Sequence, residues 1–166
     1  MRFKLGRYIL VLDLIDTERI VFGLQSTSFC KDDKQVLFLD YDDKTLDEVK
    51  KDIKRLQKKY DLPDIHIYVS SNKDGVERYH AFCFTPLEFS EHIRIIMDAD
   101  IDFNYKKIFL NQHKSTLRFS AKNGQIPKFL MTIKGKSKNR EIIDYAKKVL
   151  DKLLLLEKKN IKENGI

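Results

Sequence analysis

The chain has 166 residues, 42% of them apolar and 34% charged, which is the balance of one soluble globular domain with a real core. Its formal charge of +7 points toward a polyanionic partner rather than a polycationic one. Its two cysteines, Cys30 and Cys83, lie far apart without a C-x-x-C partner, which argues against a zinc knuckle or disulfide scaffold and for a reduced, cytoplasmic setting.

Arg7–Leu14 and Ile20–Leu24 read as two strands around the turn Asp16–Arg19. Ile9–Leu12 is too short for a secretory core, and no apolar run reaches the roughly 18 residues of a membrane span. After a polar loop, Val36–Leu39 is an apolar run of strand character that stops on Asp40, Asp42 and Asp43. Side chains on a strand repeat every two residues, so Asp40 and Asp42 share a face. Two like charges side by side cost stability unless something cationic sits between them. Mg²⁺ and Mn²⁺ prefer such oxygens; a polar turn also uses Asp.

Thr45 with Glu48 forms a capping box ahead of a helix on Leu46, Val49, Ile53, Leu56 and Tyr60, which Leu62-Pro63-Asp64 ends. Ile65–Val69 and Tyr79–Phe84 read as strands around the turn-rich loop Ser70–Gly75. His80, Phe82 and Phe84 then share one face. Thr85-Pro86-Leu87-Glu88 has the form of a helix start, with Phe89, Ile93, Ile96 and Met97 on the stripe. Asp98, Asp100 and Asp102 follow at alternating positions. Lys107–Leu110 and Ser115–Phe119 are strand candidates, Asn123-Gly124 a hairpin turn, and Lys128–Ile133 its return strand. A helix on Ile142, Ile143, Ala146, Val149, Leu150, Leu153 and Leu154 closes the chain.

The order predicts an α+β fold in one domain, residues 1–166. Its mainly antiparallel sheet is covered by helices on one face, with a β-α-β-β-α-β core over Val36–Phe119 in the split βαβ pattern of RRM-like folds. The charge is lopsided: residues 1–102 carry 16 Lys and Arg against 20 Asp and Glu, and residues 103–166 carry 16 against 5. An acidic half beside a basic half suits a metal centre next to a polyanion-binding surface. His80 after the Ser/Gly loop suits a phosphate donor, one of Asp98, Asp100 or Asp102 could complete a metal site, and Arg118 with Lys122 suits phosphate contacts.

These residues together resemble the catalytic core of the archaeo-eukaryotic primase superfamily, which includes the primase-polymerases. Its hydrophobic strand–D-x-D motif is matched by Leu37-Phe38-Leu39-Asp40-Tyr41-Asp42. Its small-residue loop and S-x-H are matched in part by Ser70–Gly75 and Arg78-Tyr79-His80, with Arg78 at the Ser position. Its hydrophobic-Asp motif is similar to Ile101-Asp102, followed by Tyr105; Asp100 and Asp98 remain alternatives. A later segment is similar to Leu117-Arg118 and Lys122-Asn123-Gly124. The likeness spans about residues 34–125 and leaves a basic strand and helix over 126–160.

The resemblance implies a metal-dependent nucleotidyltransferase of primase or DNA polymerase type, acting in replication on a nucleic-acid template or primer–template with nucleoside triphosphates. Further replication domains or subunits are possible partners; a membrane is not. Two divalent ions, Mg²⁺ or Mn²⁺ and not zinc, would sit on Asp40, Asp42 and Asp102. His80, Ser71, Arg78, Arg118 and Lys122 would hold the nucleotide. Lys128, Lys134, Lys136, Lys138 and Arg140 would hold the nucleic-acid backbone. The alternative is a non-catalytic RRM-like binding module that stacks bases on Tyr68 and Phe82.

Overall fold

The run Gln35-Val36-Leu37-Phe38-Leu39-Asp40-Tyr41 is buried at six of its seven positions, with only Asp40 partly exposed. Such a segment forms a strand covered on both faces. In the computed structural model, which describes residues 2–5, 8–11, 23–30, 33–73, 75–121 and 124–164, that strand is β4 (Gln35–Tyr41). The other strands are β1 (Arg2–Leu5), β2 (Tyr8–Val11), β3 (Gly23–Gln25), β5 (Ile65–Lys73), β6 (Val76–Leu87), β7 (Thr116–Arg118) and β8 (Lys128–Ile133). The helices are α1 (Leu46–Tyr60), α2 (Phe89–Asp98), α3 (Phe103–Gln112) and α4 (Asp144–Asn164). The fold is α+β.

The main sheet is antiparallel, in the order β4-β6-β5-β8. The crossover β4-α1-β5 leaves a gap that β6 fills, so the split βαβ unit expected from Val36 onward exists over three strands. The fourth strand departs from expectation. β7 leaves this sheet and pairs with β3, while β8 closes the β5 edge. β7 and β8 are therefore not a hairpin. Gly124 has φ +74, as a turn requires, but its strands belong to different sheets; Asn123 lies outside the described residues. The expected turn Asp16–Arg19 and most of its flanking strands also lie outside them; among the described residues β1 pairs with β2 and β3 with β7.

Two local expectations fail for clear reasons. Lys107–Leu110 is helical: Asp102 caps α3 by accepting from the Tyr105 amide, and Tyr105 and Phe109 bury one face at i, i+4 spacing. Thr85 does not start α2. It remains in β6, its hydroxyl donating to the Glu141 carbonyl, and Glu88 takes the N-cap position instead.

Cross-strand register sorts the sheet faces. Asp40, His80 and Tyr68 line up on one face with Phe38, Phe82 and His66; Tyr41, Tyr79 and Val69 line up on the other with Leu39, Ala81 and Ile67. The second face meets α1, where the Tyr41 hydroxyl donates to Asp52 at 3.0 Å. The first face meets α4, where the Tyr68 hydroxyl donates to Asp151 at 2.7 Å. Helices thus cover both faces, not one. A row of Phe38, Phe82 and Phe84 is too much apolar area to leave in water, and Ile143 with the stripe Ala146, Leu150 and Leu154 of α4 supplies the cover.

Candidate active site

β4 carries Asp40 to the edge of the apolar core, and two-residue periodicity turns it to the same side as His80 directly across on β6. His80 Nε2 lies 3.5 Å from Asp40 Oδ1. Asp42, just past the strand, lies 3.5 Å from an Arg78 guanidinium nitrogen. Asp42 is therefore partly neutralised by Arg78 on the neighbouring strand, while Asp40 faces the His80 imidazole.

The three later aspartates divide by partner. Asp98 is bound by Arg55 at 2.7 Å and Lys59 at 3.0 Å. Asp100 is bound by Lys44 at 2.6 Å. Asp102 alone turns toward β4: its amide donates to the Asp40 carbonyl at 3.0 Å, and one carboxylate oxygen caps α3. Asp52, a buried carboxylate on α1, organises this stretch. It accepts from the Tyr41 hydroxyl, from the Asp100 amide at 3.0 Å and from Arg55, which in turn holds the Asp98 carbonyl. Sequence reading passed over Asp52, although its signal was present: it is an acid at helical spacing within the stripe Val49, Ile53 and Leu56.

Asp40, Asp42, Asp102 and His80 open into one cavity of about 270 Å³. Ser70 and Ser71 from β5 line it as well. So do Asn104, Tyr105 and Ile108 from α3, and Thr116, Leu117, Arg118, Ser120 and Pro127 from the chain around β7. Tyr105 is a fixed wall: it is buried, its hydroxyl donates to the Phe38 carbonyl, and burial pushes its phenol well above the usual range.

Of the residues expected to act together, Asp40, Asp42, Asp102, His80, Ser71 and Arg118 share this cavity, and Arg78 reaches it through Asp42. Lys122 lies outside the described residues. Lys128 is exposed at the same end of the sheet, paired with Val69. Lys134, Lys136, Lys138 and Arg140 are elsewhere. Ile133 pairs with Ile65, five residues and about 17 Å along β5 from Ser70, so the loop they occupy leaves the sheet at its opposite end. There Arg140 binds both Glu91 oxygens and the carbonyls of Tyr60 and Asp61, and Lys134 binds Asp64. Arg140 is a structural clamp. Tyr68 and Phe82, the stacking residues of the binding-module alternative, are buried beneath α4.

The donor set fits a hard divalent cation: carboxylate oxygens backed by serine hydroxyls. Among the described residues no three His, Cys, Asp or Glu side chains already stand together as a metal cage. A Mg²⁺ site of the kind completed by substrate phosphates needs only one or two protein carboxylates; Asp40 and Asp42 both line this cavity. The chain has no significant match among protein-family models, curated proteins or solved structures.

Proposed function

We propose that this protein is a metal-dependent nucleotidyltransferase of primase-polymerase type, which joins nucleotides from nucleoside triphosphates on a nucleic-acid template. The observation that carries the reading is the shared cavity: Asp40, Asp42, Asp102, His80, Ser71 and Arg118 come from separate strands and loops and open into one space. The strand order β4-β6-β5, with α1 crossing between β4 and β5, supports an RRM-like half as its scaffold.

The cavity is electrically two-sided. Asp40, Asp42 and Asp102 bring carboxylates to its lining; Arg118, His80 and the hydroxyls of Ser70, Ser71 and Ser120 bring donors. A triphosphate suits this arrangement with its reacting phosphate toward the carboxylates and its outer phosphates toward Arg118 and the serines. Mg²⁺ or Mn²⁺, held by Asp40 and Asp42 with the second oxygen of Asp102, would supply charge neutralisation at the phosphates and activation of a 3′-hydroxyl. His80, 3.5 Å from Asp40, is placed to donate to a phosphate oxygen while its neighbour keeps its orientation. Arg78 balances Asp42 until the substrate arrives and is then free to meet phosphate. Positioning and electrostatics carry the rate in this chemistry; no covalent intermediate with the protein is needed.

Asp40→Ala combined with Asp42→Ala tests the proposal. The double variant should fold as the parent does, because both carboxylates are partly exposed at the end of β4 and their pairings are long. Primer extension with Mn²⁺ and nucleoside triphosphates should drop by at least about 100-fold. Equal extension by parent and variant sinks the reading.

A further inference from the structure

With the loop around Lys136 turned to the far end of the sheet, the polymer that the cavity would serve needs another path. From Phe103 to Arg140 the sequence holds ten Lys and Arg and not one Asp or Glu. Eight residues of this acid-free stretch, from Asn104 to Pro127, line the cavity beside the aspartates, and α3, capped by Asp102, is its first element. The inner face of α3 is satisfied by Tyr105 and Phe109. Its outer face is not polar as a solvated helix face would be: Phe103 is 69% exposed and Ile108 50%.

Residues on a helix advance by about 100° each. Asn104 and Ile108, at the cavity mouth, therefore lead around the helix through Asn111 and Lys107 to Phe103. The Lys107 ammonium stands 5.5 Å from the centre of the Phe103 ring. An aromatic face and a cation are thus presented together, beside the cavity, on a helix whose carboxylate, Asp102, is confined to its N-cap.

We infer that α3 is the docking rail of a single nucleic-acid strand that enters the cavity. A base stacks on Phe103, Lys107 meets the adjoining phosphate, and Ile108 forms an apolar step at the mouth. This rests on the nucleotidyl-transfer reading, which requires a polymer reaching Asp40 and Asp42. A single strand is the occupant that offers both stacking faces and phosphates in alternation. A duplex keeps its bases stacked inside. A second copy of this chain would set one acid-free helix against another and be repelled.

The test is fluorescence anisotropy of a labelled oligothymidine across a salt series. It uses the full chain, Phe103→Ala, Lys107→Gln, and a triple variant with Lys134, Lys136 and Lys138 all changed to Ala. All of the substituted residues are exposed, and unchanged melting temperatures check the folds. Phe103→Ala should weaken binding about tenfold with the salt slope kept, as loss of one stacked base does. Lys107→Gln should flatten the slope by about 0.7, as loss of one phosphate contact to a single strand does. The triple variant should bind as the parent. Parent-like binding by both α3 variants, loss confined to the triple variant, absence of salt-sensitive binding in the parent, or a parent dimer that Phe103→Ala dissolves would each overturn the inference. Primer extension separates the two ideas. If extension holds but the α3 variants bind normally, only the rail is wrong. If the α3 variants lose binding and the parent never extends a primer, only the polymerase reading is wrong.

Discussion

The two ends of the four-stranded sheet use charge in opposite ways. At one end Asp40, Asp42, His80 and Arg118 open into a cavity, and their pairings, at 3.5 Å for both Asp40–His80 and Asp42–Arg78, are loose. At the other end Arg140 spans Glu91, Tyr60 and Asp61, and Lys134 grips Asp64 at 2.6 Å. A Cβ at Gly135 would collide with the Leu62 and Pro63 backbone, so the loop is pressed against the end of α1. The lesson is that a cation satisfied by backbone carbonyls and a bidentate carboxylate serves the fold. At the cavity, Arg78 meets Asp42 through a single longer contact.

The largest expected effect that sharpens this contrast comes from Asp52, which ties the Asp98–Asp102 stretch to α1. Asp52→Ala leaves the Tyr41 hydroxyl and the Asp100 amide without their acceptor and Arg55 with Asp98 alone. Urea unfolding should report a loss of about 3 kcal/mol. Because Asp102 is carried by the same stretch, Mn²⁺ affinity, followed by electron paramagnetic resonance, should fall as well. Arg140→Ala at the far end should cost about 2 kcal/mol of stability through Glu91 and two carbonyls, yet leave Mn²⁺ affinity unchanged. A loss of Mn²⁺ affinity in Arg140→Ala would break the comparison.

A smaller effect links the ends. α2 begins beside the Arg140 clamp at Glu91 and ends at Asp98 beside Arg55. His92, between them, is fully buried, with its ring 4.8 Å from that of Phe109 on α3. Burial lowers its pKa to about 3 from the usual 6.5. Between those values the unfolded chain binds a proton that the folded one does not, so stability falls as pH drops through 6.5 and the loss levels off near 3. From pH 6.5 to pH 5 the cost is about 2 kcal/mol. His92→Leu should remove that part of the acid sensitivity, measured as a shallower decline of the urea midpoint between pH 7 and 5. An unchanged decline would place the acid-sensitive group elsewhere.

Local chemistry made much of this legible beforehand. The capping box of α1, with Thr45 and Glu48 bonding reciprocally, depends on residues three apart. The shared face of Asp40 with its neighbours follows from strand period alone. The position of β8 at Lys128–Ile133 was written in its residues. Tertiary contacts decided the rest. Lys107–Leu110 has strand-like composition, but the Asp102 cap and the burial of Tyr105 and Phe109 make it helix. The choice of Asp102 over Asp98 and Asp100 came from cations elsewhere in the chain, Arg55, Lys59 and Lys44, that claim the other two. Whether a basic loop faces the cavity or its opposite pole depends on which strand it follows and how that strand pairs. Here β8 runs antiparallel to β5 and leaves the sheet beside Ile65. Spacing along the chain encodes periodicity and caps; it does not encode which end of a sheet a loop reaches, because that is set by long-range strand register.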